Sequence, residues 1–446
     1  MLYSLRYRGV RVFLMQAWNY LKSRLGGLWA KVSEGEEPAE MRHVHRPAKV
    51  IALIYAYPLH IGGVETHLLT LLHHADRSRY RWLVVAAASP EFTSRARAQG
   101  AQVIPWRPAS ALDVVALMRL VRLLRAQGVD LLHLHGPRTI PFGRIAASLL
   151  QVPVVVTVHL PSYVFAYGDR MRARFKRWCY RRVERVWNYR FIGRLIYVSS
   201  SICQDALASG VASRGQVTVI ENGVDPRLSA EDDHRGRVRE ALAVPPEAKV
   251  ICCVARLDEQ KGIDILLEAM LLLQPDRLEL RLWLLGDGPR RAELQAQARR
   301  LGASVQFLGF RHDVPDLLKA SDIFVLPSRY EAMSLAVLEA MAVGLPSVVS
   351  DVGENARLIE DGMSGRVVPP TDPVALAAAL RQLLDDPALC RRMGQMARRQ
   401  VASYSDLRMA QRTQEVYEAL GQPWANRRAK KVVPAPAAMA NKTSQL

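Results

Sequence analysis

Two cationic side chains follow a strand-like run in the second half of the chain. The run Val250–Val254 ends just before Arg256 and Lys261, in a loop that leads into the next helical stretch. Ligands of open parallel sheets bind beyond the carboxyl ends of the strands, so these cations are placed to meet one. Arg can bind two phosphate oxygens at once, and Lys adds a compact charge. The pair predicts a diphosphate site, with a solvated surface loop as the alternative.

Two carboxylates lie beyond a second strand-like run. Ile323–Leu326 leads to Glu331 and then to an apolar helical stretch in which Glu339 is the only charged residue. A buried carboxylate is costly unless groups donate hydrogen bonds to it, and a ribose diol supplies two such donors. An ion pair with a core Arg is the alternative for Glu339. The start of the helix offers free backbone amides that suit a diphosphate, those of Met333, Ser334 and Leu335.

Glycines follow two further predicted strands. Gly286 comes directly after Leu280–Leu285, and Gly62 and Gly63 lie in the loop after the first strand. A residue without a side chain lets the backbone approach a ligand closely, although a plain turn would also use glycine here. These positions are therefore candidate ligand contacts.

Two histidines also follow predicted strands. His135 comes after Asp130–Leu134 and His159 after Val154–Val158. Both imidazoles are expected to project into a cleft between the two halves of the chain. A structural role for either histidine is the alternative, since imidazoles satisfied inside a fold are common.

Three segments resemble the family-four retaining glycosyltransferases of the GT-B fold. They are Gly62–Glu65, Ala255–Gly262 and Glu331–Ala342, and the resemblance extends over roughly 50–420. It departs from many relatives after Glu331, where Ala332, Met333 and Ser334 stand in place of Gly or Pro. The identity of the sugar is therefore not carried over.

The resemblance implies roles for individual residues. It assigns Arg256 and Lys261 to the donor diphosphate, Glu339 to the ribose and Glu331 to the hydroxyls of the donor sugar. Gly62 and Gly63 would pass close to the donor phosphates and the acceptor. His159 would lie near the transferred sugar, which makes it, with Arg256, Lys261 and Glu331, a candidate catalytic residue.

Strand-like runs alternate with helical stretches along most of the chain, which favours parallel sheets. The runs of the first half are 50–55, 82–87, 130–135, 154–158 and 195–199, and those of the second are 250–254, 280–285, 305–308, 323–326 and 347–349. The sequence predicts an α/β protein with two Rossmann-like, doubly wound domains facing across a cleft. The expected divisions are a basic amphipathic helix and linker at 1–47, an acceptor domain at 48–225, an interdomain segment at 226–248, a donor domain at 249–404, a helix crossing back to the first domain at 405–425 and a disordered tail at 426–446.

The chain is basic, with 61 Lys and Arg against 42 Asp and Glu and a net charge of +19 among 446 residues. Such a charge attracts a polyanion. Residues 1–33 have a basic amphipathic pattern without acids, and 170–194 contain ten basic residues interleaved with aromatic ones. Single-stranded nucleic acid could bind the second segment, but the two segments together favour an anionic membrane or a phosphate-bearing lipid acceptor. A helix packed on the domain is the alternative for the first segment, and a solvated helix face is the alternative for the second.

The cellular setting is predicted from the same patterns. No uninterrupted apolar run is long enough to cross a bilayer, and the five cysteines have no metal-ligand spacing. We expect a cytoplasmic protein with reduced thiols that lies peripherally on the cytoplasmic face of the membrane. No nucleic acid partner is expected.

The expected reaction transfers a hexose-type sugar from a UDP- or GDP-sugar to a lipid-linked or glycan acceptor, with retention. Arg256 and Lys261 would stabilise the departing diphosphate. No Asp-x-Asp motif is present, so neither a metal nor another cofactor is expected. The competing hypotheses are a nucleotide-sugar epimerase on the same fold and a non-catalytic adaptor at a membrane.

Overall fold

The structure is a computed structural model that describes residues 49–55, 62–87, 89–110, 113–161, 171–190, 193–229, 234–273 and 279–429. In the first half the elements are β1 (Lys49–Tyr55), α1 (Gly63–His73), β2 (Tyr80–Ala86), α2 (Pro90–Ala98), β3 (Gln102–Pro105), α3 (Val114–Ala126), β4 (Leu131–His135), α4 (Ile140–Leu150), β5 (Val154–Val158), α5 (Met171–Arg190), β6 (Gly193–Tyr197), α6 (Ser200–Ala208) and β7 (Val217–Val219).

The second half continues the alternation. Its elements are α7 (His234–Ala241), β8 (Lys249–Val254), α8 (Ile263–Leu273), β9 (Leu280–Leu285), α9 (Arg291–Ala298), β10 (Val305–Gly309), α10 (Val314–Ala320), β11 (Ile323–Leu326), α11 (Leu335–Ala342), β12 (Ser347–Ser350), α12 (Asn355–Leu358), β13 (Gly365–Val368), α13 (Pro373–Asp385), α14 (Pro387–Val401) and α15 (Asp406–Ala429). Short 3₁₀ helices lie at Arg214–Gln216, Pro226–Ser229, Glu259–Lys261 and Arg299–Ser304.

The strands form two parallel sheets. The first has seven strands in the order β3-β2-β1-β4-β5-β6-β7, and the second has six in the order β10-β9-β8-β11-β12-β13. The central strands are almost wholly buried because helices cover both faces of each sheet. Two doubly wound sheets confirm the predicted α/β fold with two Rossmann-like halves.

The sequence pattern does not predict three of the strands, and all three lie at sheet edges. They are β3, β7 and β13. Each has three or four residues and a partly exposed pattern, so none forms the continuous apolar run that marks a strand covered on both sides. The central strands have such an apolar run, and the sequence pattern predicts them.

The last helix, α15, completes the core of the first half. Tyr417 is buried against Tyr80 and Trp82, and its hydroxyl lies 2.6 Å from Nδ1 of His133. Met409 and Ala410 belong to the same apolar cluster.

The helix α15 continues to Ala429, and so includes residues 426–429, which the sequence pattern assigns to the tail. Residues 426–429 are Asn, Arg, Arg and Ala, which include good helix formers, and the next proline is Pro434. Residues 1–48 and 430–446 lie outside the described part, and so does the predicted amphipathic helix.

In the described part of the chain, no helix has the length and apolar character needed to span a membrane.

Candidate active site

The loop after β8 holds the two predicted phosphate-binding cations. Arg256 is half exposed and pairs with the carboxylate of Asp258. The loop turns into α8 at Gly262, whose φ of 64° lies in the left-handed region. A Cβ at Gly262 would lie 2.2 Å from the carbonyl oxygen of Pro327, so only glycine lets this loop pack against the end of β11. The close approach brings Lys261 to the residues that follow β11.

Lys261 forms an ion pair with Glu331. Its Nζ lies 2.5 Å from Oε1 of Glu331, and the hydroxyl of Ser328 donates to the same oxygen at 2.8 Å. Glu331 is buried, with 8% of its surface exposed. Its other oxygen, Oε2, makes no hydrogen bond to the described residues. A carboxylate whose first oxygen is held by a cation can orient a ligand with its second oxygen.

The start of α11 presents backbone amides without acceptors in the described part of the chain. They belong to Met333, Ser334 and Leu335, and Ser334 does not cap the helix with its own side chain. Met333 and Ser334 are buried. The partial positive charge of a helix amino terminus favours an anion at such a position.

Glu339 lies one turn further along α11. Its neighbours Val337, Leu338, Ala340 and Met341 are buried, and no described residue donates a hydrogen bond to its carboxylate. Burial raises the pKa of Glu339 to about 7. The core-Arg alternative therefore has no support among the described contacts, and the carboxyl group is available to a hydroxyl donor.

Glycines bring the two halves together at this point. A Cβ on Gly63, at the start of α1, would lie 4.0 Å from Cδ1 of Leu335. Gly62 donates its amide to Oε2 of Glu65 at 3.0 Å, and the charge of Arg256 acts on the same carboxylate. Burial is nevertheless the larger effect and raises the pKa of Glu65. The glycine loop of the first half thus faces the start of α11 in the second.

Gly286 draws the end of β9 against the loop that carries Arg256. Its φ is 126°, and a Cβ there would lie 2.1 Å from the carbonyl oxygen of Ala255. A larger residue would push this loop away from β9. Gly286 therefore shapes the position of Arg256.

Histidines cluster at the carboxyl ends of β4 and β5. His135 Nδ1 lies 3.1 Å from His159 Nε2, and His67 of α1 packs edge-on against His159 with ring centres 4.8 Å apart. Burial lowers the pKa of His67 to about 4 and the pKa values of His135 and His159 well below their ordinary value. His159 is partly exposed, whereas His67 and His135 are buried. The three rings are neutral at neutral pH.

His133 has a different role from this cluster. Its Nδ1 faces the hydroxyl of Tyr417 and its Nε2 faces Oγ1 of Thr157 at 2.7 Å. Both ring nitrogens therefore have partners within the core. His133 is a structural residue.

Asn222 joins the histidines to the residues before α11. Its Nδ2 donates to the carbonyl oxygen of Met333 at 3.2 Å, and its Oδ1 lies 3.1 Å from Nδ1 of His67. The sequence pattern predicts neither His67 nor Asn222 as a site residue. His67 lies inside a helix, and Asn222 belongs to a segment read only as a domain boundary, so neither follows a predicted strand directly.

Comparisons with known proteins identify the same two halves. Residues 61–228 match the model of Glycosyltransferase Family 4, and residues 235–400 match that of Glycosyl transferases group 1. A UDP-Gal:alpha-D-GlcNAc-diphosphoundecaprenol alpha-1,3-galactosyltransferase of Escherichia coli is 32% identical over 62% of this chain and 72% of its own length. A D-inositol 3-phosphate glycosyltransferase of Streptomyces avermitilis is 31% identical over 65% of each chain.

Solved structures agree on the fold. Anabaena Alr3699/HepE, crystallised with UDP and glucose, superposes with a TM-score of 0.73 at 23% identity and covers 83% of this chain and all of its own. The two parallel sheets, the two family models and the E. coli relative lead to the same assignment. The chain belongs to the family-four glycosyltransferases of the GT-B fold.

Proposed function

We propose that this glycosyltransferase moves a hexose-type sugar from a UDP- or GDP-sugar to a lipid-linked or glycan acceptor, with retention of the anomeric configuration. The observation that carries the donor assignment is the convergence of both halves on the start of α11. Three amides without acceptors among the described residues, the Lys261–Glu331 pair and the Gly63 backbone all meet there. Anabaena Alr3699/HepE was crystallised with UDP and glucose, which supports a nucleotide-sugar donor.

The proposed chemistry rests on charge at the leaving group. Breaking the anomeric bond transfers negative charge to the departing diphosphate, and Arg256 and Lys261 stabilise that charge together with the amides of α11. Glu339 accepts hydrogen bonds from the ribose diol, and Glu331 orients the sugar hydroxyls through Oε2. His159, as a neutral imidazole, contacts the transferred sugar.

Retention then follows from attack on the face that the diphosphate leaves. The acceptor hydroxyl gives its proton to the departing phosphate oxygen as the new glycosidic bond forms and the old bond breaks. No residue needs to form a covalent intermediate, so Glu331 acts as an orienting group. The anomeric configuration of the product, read by proton coupling in its NMR spectrum, tests this assignment, and an inverted product would contradict it.

The acceptor proposal draws on the surface of α5. Its exposed apolar residues recur at helical spacing, with Phe175 65% and Trp178 53% exposed and Val186 and Tyr189 further along the same side. Cations such as Arg182, which lies over the Trp178 ring, alternate with them. An apolar stripe flanked by cations suits an anionic membrane surface. The E. coli relative is named for a diphosphoundecaprenol-linked acceptor, which supports a lipid-linked one here.

The first experiment is a calorimetric titration with UDP, GDP and ADP, followed by turnover assays with sugars of the base that binds. We expect binding of UDP or GDP and sugar transfer that requires an acceptor. Conversion of the donor to an isomer without an acceptor would instead support the epimerase, and absence of any nucleotide binding would support the adaptor.

Turnover is also proposed to need no divalent metal, because Arg256, Lys261 and the α11 amides already supply positive charge. The test is turnover in the presence of a chelator. Activity that a chelator abolishes and magnesium restores would overturn this part of the proposal.

A further inference from the structure

The tautomer of His67 is determined by its neighbours. A carbonyl oxygen can only accept, so the Asn222 atom that faces the Met333 carbonyl must be the amide nitrogen. The atom facing His67 Nδ1 is then the amide oxygen, which requires the proton of His67 to be on Nδ1. The other nitrogen, Nε2, therefore carries no proton and can only accept a hydrogen bond or bind a cation through its lone pair. It is buried and has no donor among the described residues.

A second unpartnered nitrogen lies in the same cluster. His135 is wholly buried, and its Nε2 also has no partner within the described ranges. One ring nitrogen from each of His67, His135 and His159 lies within 4.8 Å of the others. A buried polar atom without a partner costs free energy, so a bound group that met these nitrogens would stabilise the cluster.

The separation of the rings suits a metal ion. Three imidazoles bound to one zinc ion at about 2.1 Å have their ring centres about 5 Å apart. The observed separations are 4.8 Å between His67 and His159, 5.4 Å between His135 and His159 and 5.7 Å between His67 and His135. Nitrogens bound to one tetrahedral ion lie about 3.4 Å apart, so the rings must rotate on binding and rearrange the 3.1 Å contact between His135 Nδ1 and His159 Nε2.

The contact of His67 with Asn222 is also typical of a metal ligand. A histidine that binds zinc through one nitrogen usually donates its other N–H to a carbonyl or carboxylate oxygen, which fixes the ring and its tautomer. Here Nδ1–H of His67 donates to Oδ1 of Asn222. The proposed transfer reaction uses His159 and gives no task to His67 or His135.

We propose that His67, His135 and His159 form a binding site for a zinc-class transition-metal ion. Because His67 and His135 are buried and His159 is partly exposed, the fourth coordination position opens on the side of His159. Since the proposed function places His159 at the transferred sugar, a bound ion would compete with the sugar and inhibit transfer. The site itself is independent of that assignment.

Cobalt is a suitable probe, because its visible absorption reports tetrahedral nitrogen coordination without reference to activity. The full chain, stripped with a chelator and dialysed, is titrated with Co²⁺ and then with Zn²⁺. We expect one tightly bound ion with tetrahedral absorption that Zn²⁺ displaces. The variants His67→Gln and His135→Asn should weaken binding by more than about a hundredfold, the upper end of the loss caused by removing an outer-shell partner alone.

The control is His73→Asn, an exposed residue of the same helix as His67, which should bind the ion as the wild type does. Equal affinity in the cluster variants, or no tetrahedral absorption in the wild type, would overturn the site. If the buried variants fail to fold, X-ray absorption of the zinc-loaded wild type decides the question, because the site requires three imidazole nitrogens at about 2.0–2.1 Å.

Turnover assays with zinc distinguish a failure of the metal-site proposal from a failure of the proposed function. Zinc at the concentration that saturates the cobalt signal should inhibit sugar transfer in the wild type. Binding without any measurable transfer activity at any metal concentration would contradict the proposed function and leave the site standing. Binding without inhibition of an active enzyme would refute the competition and contradict the placement of His159 at the transferred sugar.

Discussion

At the scale of single residues, the cations of the β8 loop are predicted to act on the transition state. Replacing either Arg256 or Lys261 by Ala should lower kcat by roughly a hundredfold, about 3 kcal/mol, since each contact strengthens as charge develops on the diphosphate. The measurement is steady-state kinetics with the donor that calorimetry selects. The control is Arg300→Ala, an exposed cation outside this loop, and a full rate in Arg256→Ala would contradict the mechanism.

The carboxyl group of Glu339 should make the folded protein less stable at alkaline pH than a neutral side chain at this position would. The folded pKa of about 7 exceeds the ordinary 4.5. Between these values the folded state holds a proton that the unfolded state has released, so the stability contributed by this group falls as pH rises through the interval. Glu339→Gln is therefore expected to raise the melting temperature at pH 8, to change it little at pH 4 and to weaken nucleotide binding.

Thermal denaturation at the two pH values, with the exposed Glu268→Gln as the control, measures this effect. A variant that is equally or less stable at pH 8 would show that the carboxylate has charged partners in the folded protein. Unchanged nucleotide affinity would separate Glu339 from the ribose.

The sequence located these residues because each follows a strong strand signal. Arg256, Glu331 and His159 lie in the loops that follow β8, β11 and β5, and the carboxyl ends of parallel strands meet at one edge. His67 and Asn222 could not be found in this way. Their contact joins residues 155 positions apart, and it depends on the packing of α1 against the second half, which no local pattern reports.

At the scale of elements, α5 is predicted to bind anionic membranes. Phe175→Ser with Trp178→Ser removes the most exposed aromatic residues of its apolar stripe. The double variant should lose several-fold in binding to phosphatidylglycerol-containing vesicles, because less apolar area enters the interface. Co-sedimentation measures the bound fraction, with vesicles of phosphatidylcholine alone as the lipid control.

Val374→Ser is the matched protein control, since Val374 is 66% exposed and belongs to α13, a different helix. Equal vesicle binding by the double variant, the control and the wild type would assign α5 to an ordinary solvated face.

The strands also differ in how far the sequence predicts them. The central strands are predictable because they are buried on both sides, whereas the edge strands β3, β7 and β13 are not.

At the scale of the whole molecule, Glu354 links the two halves. It is buried at 2% exposure at the start of α12, and its Oε1 accepts from the Ser199 hydroxyl at 2.9 Å and from the Ser201 amide at 2.8 Å. Glu354→Ala should destabilise the protein by about 1–3 kcal/mol, because Ser199 and Ser201 lose a charged acceptor in a buried place.

Urea denaturation gives the change in unfolding free energy, and the exposed Glu247→Ala is its control. If both variants unfold at the same urea concentration as the wild type, the halves are held by other contacts, such as those of Asn222 with Met333.

The return of α15 to the first sheet has a consequence for synthesis. Tyr417 meets His133 across 284 residues of chain. At about 5–20 residues per second, a ribosome needs roughly 14–57 s to cover that interval. For that time the nascent amino-terminal half lacks its last core side chains, which leaves Tyr80 and Trp82 open to water or to chaperones. The second sheet, whose last strand ends at Val368, is complete before Tyr417 is made.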